Sequence, residues 1–446
     1  MRVIRDATLA DGRVRDVRIG DDGRIDAVGE NLDAERTIDA DERLLLPGAV
    51  DVHVHFRQPG APQKETWATG SRAAAAGGVT TVVDQPNTSP PTVTGAAFDE
   101  KEAFASDSLV DYGLSGGVTP EWDPDSLFAR PLFALGEVFL ADSTGEMGID
   151  ATLFAEAVER AADAGVPVTV HAEDATRFDD GVRERGEAAV REAGDDAPTG
   201  RAVGGDADAW SAYRTAEAEI AAAERTVEVA READAAVHLA HTSTPEAVDV
   251  ARAGGLTCEV TPHHLFCSRE DYADLGTYGR MNPPLRSAAR REALFERLLD
   301  GRVDVVATDH APHTRAEKDV ALWRAPSGVP GVETMVPLLL AATRTTDLTV
   351  ERVRDVTART PAAIFDVSRK GRIEAGYDAD LALYDLDDVR AVRGDDLHSK
   401  CGWTPFEGRE GVFPVWTMRR GERVWDAAEA RFGEPTGANV RRDREP

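Results

Sequence analysis

His53-Val54-His55, Glu137, His171, His241 and Asp309 are the residues whose types and spacing could do chemistry. Imidazole and carboxylate groups together suit zinc or a similar borderline cation, whereas calcium and magnesium favour all-oxygen sets. Residues i and i+2 of a strand face the same way, so both imidazoles of His53-Val54-His55 can meet one cation. An isolated pair of this kind is more often two packed histidines than a ligand pair. Its setting changes that reading, because the other four residues fall at equivalent points of strand-like runs. Glu137 lies inside LGEVFL, and His171 closes PVTVH. His241 closes VHLAH and Asp309 closes VVATD. Four histidines and two carboxylates predict one or two zinc ions per chain. Two cations sharing one carboxylate could hold a hydroxide between them, polarise a carbonyl and stabilise a tetrahedral oxyanion. Asp309 could then take the hydroxide's proton and hand it to a leaving nitrogen.

The other histidines read differently. His238, on the opposite strand face from His241, reads as packing or support for a ligand. His263 and His264 follow a strand, and either could orient a ligand, His264 with less reason. His310 is expected to point away from the cations, and His398 to be structural. His313, in APH after Asp309, is carried beyond the strand end toward a substrate.

These residues need elements to position them. Eight short apolar runs, at 49–53, 79–84, 111–116, 134–140, 166–171, 236–241, 257–261 and 303–309, alternate with alanine-rich helical stretches such as 67–76, 151–164, 214–233 and 333–342. Eight βα units in about 320 residues predict a TIM (β/α)8 barrel, whose sites are built at the C-terminal ends of the strands. No glycine-rich phosphate loop opens any of the helices. Asp11-Gly12 and Asp22-Gly23 punctuate an alternating N-terminal segment, and a similar texture returns near 379–386 and 411–427. The expected division is a barrel over 49–368 and a small β-sandwich domain built from 1–48 and 369–446. The acidic stretch 174–213, after the fifth strand, reads as a solvated excursion, with a partly ordered lid as the alternative.

The chain has 446 residues and a net charge of -30. That charge disfavours nucleic acid and anionic membrane as partners. Only five of its 51 basic residues are lysine (Lys64, Lys101, Lys318, Lys370, Lys400), and an acidic, lysine-poor surface suits a salt-rich cytoplasm. Three irregularly spaced cysteines fit neither a disulfide framework nor a thiolate zinc site, so a reducing, cytoplasmic setting is expected. No run of 18 apolar residues could span a bilayer. A small-molecule substrate is the expected partner; a homo-oligomer is compatible with the sequence and is not specified by it.

At DVHVHFRQPG (51–60), DQPNTSP (84–90), CEVTPHHLF (258–266), MNPPLR (281–286), TDHAPH (308–313) and SGVPGVET (327–334) the chain resembles the amidohydrolase superfamily. Within it, the likeness is to the dihydroorotase group of the cyclic-amidohydrolase branch. It covers about residues 3–425, with KGRIEAGYDADLALYD (370–385) resembling the return to the small domain. The resemblance implies His53, His55, His171, His241 and Asp309 as metal ligands, with Asp309 also the proton shuttle. It implies His55, Arg57, Asn87, Asn282 and His313 as substrate contacts, with backbone groups of Ser327 and Gly328 facing the ring. The implied reaction is the reversible cyclisation of N-carbamoyl-L-aspartate to (S)-dihydroorotate in pyrimidine synthesis. Allantoinase, hydantoinase and a catalytically inactive scaffold are the alternatives. One departure stands out: several groups of these enzymes bridge two metals with a carboxylated lysine, and LGEVFLADSTG (135–145) places Glu137 there.

Overall fold

The computed structural model describes residues 1–143 and 146–442, so 144–145 of the LGEVFLADSTG string and the last four residues of the 369–446 segment lie outside it. The alternating N-terminal segment forms β1 (Arg2–Thr8), β2 (Val14–Ile19) and β3 (Ile25–Gly29), followed by β4 (Arg36–Asp39) and β5 (Leu44–Pro47). Its hairpins turn at Gly12 and Gly23, whose φ of 80° and 77° suit glycine.

Eight strands then run parallel in two ladders. One holds β6 (Ala49–Val54), β7 (Val79–Asp84) and β8 (Asp111–Leu114). The other holds β9 (Leu135–Phe139), β10 (Val168–His171), β11 (Val237–Leu239), β12 (Thr257–Val260) and β13 (Val305–Val306). Almost every residue in them is buried, as expected where helices cover a parallel sheet. The ladders meet at two seams through single bridges, Gly116 with Leu135 and Val54 with His310. Val50, Val52, Val83, Ala134, Val305 and Ala307 form one apolar cluster fed from both ladders.

Helices between the strands begin where side chains can satisfy their first N–H groups. Thr66 makes a capping box for Trp67–Ala76, Asp150 caps Ala151–Asp163 and Thr215 caps Ala216–Glu232. The sixth and eighth strands are shorter than 236–241 and 303–309, because the chain leaves the ladder before His241 and Asp309. Both adopt left-handed backbone, with φ of 31° and 45°, which ends strand pairing.

The C-terminal strands complete the first sheet. β14 (Leu381–Ala391), β15 (Glu410–Arg419), β16 (Glu422–Asp426) and β17 (Arg431–Phe432) join through β14, which pairs antiparallel with β5. The result is one nine-stranded mixed sheet, ordered β17-β16-β15-β14-β5-β1-β2-β3 with β4 beside β1. Residues beyond it return to the parallel strands, where Tyr112 donates to the Ala438 carbonyl and accepts from Val440.

The 174–213 stretch departs from the solvated excursion expected of it. It contains the helix Asp180–Ala193, none of whose residues is buried, but 200–213 folds inward. Val203, Ala207, Trp210 and Tyr213 pack with Tyr272, Met281 and Leu285 in a second core. The apolar residues are few and widely spaced, so the acidic residues between them mask the pattern. No helix of the described residues is long and apolar enough to cross a membrane.

Candidate metal centre

The six candidate ligands converge beyond the C-terminal ends of the parallel strands, all nearly or fully buried. β6 shifts register against β7 between Asp51 and Val54, and delivers His53 and His55 with ring centroids 5.3 Å apart. His55 Nε2 lies 2.9 Å from Asp309 Oδ1, and His53 Nε2 lies 3.6 Å from the same oxygen. On the other side His53 Nε2 is 3.4 Å from Glu137 Oε2. Glu137 Oε1 reaches His241 Nε2 at 2.5 Å and His171 Nδ1 at 2.9 Å. Donor atoms of His53, Glu137 and His241 lie within 4.8 Å of one another, as do those of His53, His55 and Asp309. His171 stands beside the first trio, its Nδ1 2.9 Å from His241 Nε2.

Gly136 lets the chain pass close to Thr169 of β10 immediately before Glu137. A Cβ there would sit 2.1 Å from Thr169 Oγ1, and its φ of 142° is unfavourable for other residues. The Glu137 backbone N–H donates to Gln85 Oε1 at 2.9 Å, and no arginine or lysine pairs with the Glu137 carboxylate among the described residues.

The arrangement fits a bound cation. Among the described residues His53 Nε2 and His241 Nδ1 are buried without a hydrogen-bond partner, and such orphans are costly unless something else engages them. His53 Nε2 faces two carboxylates at more than hydrogen-bond length, a geometry that a shared positive charge would satisfy. The electrostatics agree. Burial alone would lower the imidazole pKa of His53, yet Glu259 and Glu137 hold it well above the usual range. Burial likewise works against His171, but Glu137 and Glu173 raise it to about 9. Against its own desolvation, Glu137 is held well below the usual carboxylate range by His53 and His241. Protons on these imidazoles stand in for positive charge that the carboxylates demand.

Supporting groups fix the ligands. Glu259, in β12, accepts from His53 Nδ1 at 2.6 Å and from the His241 backbone N–H at 3.1 Å, so one carboxylate orients two ligands. His238 supports Glu259 from behind, with Nε2 3.3 Å from its Oε2. Glu173 accepts from His171 Nε2 at 2.9 Å and is itself paired with Arg214. Glu173 and Glu259 are not among the residues that the sequence pattern marks. A carboxylate inside the apolar run TCEV, and one two residues past His171, were the available signals.

Arg57, Asn87, Asn282, Ser327 and Gly328 line the same cavity as His55, Glu137, His241 and Asp309. His313 does not line it; its Nε2 lies 2.9 Å from the Ser327 carbonyl and 3.4 Å from Arg57 Nη2, one layer behind. A Cβ on Gly328 would meet the Ala311 carbonyl at 2.5 Å, so this wall accepts only glycine. Arg57 is buried, makes no ion pair among the described residues and has left-handed backbone at φ 63°. The remaining histidines stay outside. His264 bonds Thr261 and the Pro283 carbonyl, His310 Nδ1 accepts from the N–H groups of Gly331 and Val332, and His398 bonds Glu333. His263 is held near the cluster with a pKa pushed down by burial to about 3. A larger groove of about 650 Å³ between Phe266, Phe295 and Leu338 contains none of the candidate ligands.

The sequence pattern of the amidohydrolase family matches residues 44–410, the stretch that carries every ligand described above. The chain belongs to the amidohydrolase family. This amidohydrolase is 67% identical to the dihydroorotase of Halobacterium salinarum over 96% of its own length and 97% of the relative's. It is 41% identical to the dihydroorotase of Methanosarcina acetivorans, over 93% and 89% of the two chains. Among solved structures, the L-hydantoinase (dihydropyrimidinase) of Arthrobacter aurescens superposes with a TM-score of 0.89 at 28% identity, covering 98% of both chains. That likeness assigns the amidohydrolase a TIM barrel carrying a smaller β domain, the barrel being the eight parallel strands with their helices.

Proposed function

We propose that the protein is a dihydroorotase, interconverting N-carbamoyl-L-aspartate and (S)-dihydroorotate in the de novo synthesis of pyrimidines. The observation that carries this reading is Arg57. It is a buried guanidinium with no ion-pair partner among the described residues, lining the cavity that the histidine–carboxylate cluster also lines. A buried guanidinium with no carboxylate in contact is costly, and a ligand carboxylate would neutralise it with two parallel hydrogen bonds. Dihydroorotate carries a carboxylate on its ring, whereas hydantoin and allantoin do not. The identity with two dihydroorotases along nearly the whole chain supports the same reading.

His53, His55, Glu137, His171, His241 and Asp309 would hold one or two zinc ions, Glu137 standing between the His53 side and the His171–His241 side. When bound, zinc supplies Lewis acidity that polarises the ring amide and acidifies water. The chain's own residues do the rest. Arg57 and Asn87 hold the substrate carboxylate and so fix the ring over the cluster. Asp309, whose Oδ1 lies 2.9 Å from His55 Nε2, accepts a proton from the attacking water and returns it to the ring nitrogen as the C–N bond breaks. Ring closure runs the same transfers backwards. Because Glu137 already carries a carboxylate, no carbon dioxide is needed to complete the site.

The test is turnover of dihydroorotate, hydantoin and allantoin by the purified protein, alongside metal analysis. Dihydroorotate should be preferred and one to two zinc ions found per chain. Preference for either neutral ring would overturn the assignment, and absence of turnover with metal bound would favour an inactive scaffold.

A further inference from the structure

The cavity is lined by two carboxamides, and an amide can face a ligand with its oxygen or with its N–H groups. Trp210 decides which for Asn282. An indole nitrogen only donates, so the Asn282 atom facing Trp210 Nε1 at 3.1 Å must be Oδ1. The Asn282 NH2 group is thereby turned away from the indole, and its Nδ2 donates to Ser143 Oγ, which also lines the cavity, at 3.0 Å. Asn87 is fixed in the same sense. Its Oδ1 lies 2.7 Å from His55 Nδ1, the nitrogen that carries a proton when Nε2 is turned to the cluster.

The indole is itself held rigidly. Trp210 is buried, its Nε1 also donates to the Met281 carbonyl at 3.0 Å, and the Arg280 guanidinium lies 3.7 Å from the centre of its ring. Arg280 reaches on to the cavity wall, with its Nε 3.2 Å from Ser327 Oγ and its carbonyl accepting from Gly328 N–H at 3.0 Å. One side chain from the 200–213 stretch therefore sets the polarity of Asn282 and backs the guanidinium that supports Ser327-Gly328.

We infer that Trp210 is a specificity-determining positioning residue: by engaging Asn282 Oδ1 it locks this amide as a donor, so that the cavity selects a ligand bearing a carboxylate. The inference rests on the reading of the site as one for dihydroorotate. Without the indole N–H, nothing on that side selects the amide oxygen, and Asn282 can turn over so that its oxygen faces the cavity. The oxygen then opposes the negative charge that Arg57 attracts. Trp210 touches neither the candidate ligands nor the reacting atoms, so binding of the acid should suffer and the chemical step should not.

Two variants test it. Trp210→Phe removes the donor with some volume, and replacement of Trp210 by benzothienylalanine removes the N–H while keeping the bicyclic ring over Arg280. With metal content and melting temperature matched to the unaltered protein, KM for dihydroorotate should rise about tenfold, the worth of one hydrogen bond to a buried group, with kcat within about twofold. Dihydrouracil, the same ring without the carboxylate, should be turned over with unchanged KM. The preference for the carboxylated ring should then fall by the same factor. An unchanged KM for dihydroorotate in the benzothienylalanine protein, or an equal rise for both rings, would overturn the inference. Failure of the unaltered protein to act on dihydroorotate would instead sink the functional reading on which it rests.

Discussion

Two clusters of buried charge occupy opposite roles in this molecule. At the seam between the mixed sheet and the parallel strands, Lys370 Nζ lies 2.6 Å from Asp111, 2.6 Å from Asp380 and 3.2 Å from Asp378. Arg419 and Arg420 reach Asp111 at 2.8 and 3.1 Å. Every carboxylate there has a permanent cation against it, and the cluster is closed. Beyond the C-terminal strand ends, among the described residues, the carboxylates of Glu137 and Asp309 pair only with histidines, while the guanidinium in the cavity, Arg57, makes no ion pair. Internally neutralised charge holds the fold together; charge left open waits for something the chain does not supply.

The contrast predicts a double dissociation. Lys370→Met takes the lysine from Asp380 in the interior, while Asp111 keeps Arg419 and Arg420, and should cost about 3–5 kcal/mol of unfolding free energy in denaturant titrations. Metal content and KM of the protein that remains folded should be unaltered. An equal loss of bound metal would mean the two clusters are not separable. Glu137→Gln should do the opposite, with zinc binding and turnover each falling by roughly 100-fold or more while the metal-free protein melts no lower than the unaltered one. Full metal content with near-normal turnover would remove Glu137 from the bridge.

Arg57→Ala tests the open cation. Its kcat/KM for dihydroorotate should fall roughly ten- to hundredfold, the worth of a charge-assisted pair of about 1.5–3 kcal/mol. Metal content should hold, and stability should not fall, because an unneutralised buried charge has been deleted. A large drop in melting temperature would show that Arg57 is structural. The smallest effect belongs to the surface. With a net charge of -30, the melting temperature should climb from dilute buffer toward molar salt, while Lys370→Met keeps its deficit throughout, since a buried cluster is poorly screened. A flat salt response would remove the salt-adapted reading of the surface.

Much of the candidate centre is legible in sequence, because a parallel strand presents its C-terminal end at a fixed place. A histidine closing PVTVH or an aspartate closing VVATD is therefore located by the strand alone. What is illegible arises from separation. The closed cluster draws on residues 111, 370, 378, 380, 419 and 420, and no periodicity links them. Glu259 looks like an ordinary strand residue until its neighbours across the ladder are known. Trp210 was hidden differently, in a stretch so acidic that its apolar residues carried no rhythm. The strand boundaries missed at 241 and 309 have a common cause: the turns that expose these side chains are the same turns that end strand pairing.

The scarcity of lysine has a practical consequence. Lys101, Lys318 and Lys370 are buried, leaving Lys64 and Lys400 as the accessible side-chain amines. They are close together: Lys64 Nζ is 3.1 Å from His313 Nδ1, and Lys400 Nζ donates to the carbonyl of Pro62, two residues before Lys64. Because Arg57 touches the same His313, acylating reagents would mark the layer behind this cavity-lining arginine and, apart from the Met1 amine, little else of the molecule. A fluorophore or tether attached to Lys64 by ordinary amine chemistry would thus sit one side chain behind Arg57 without any engineered cysteine.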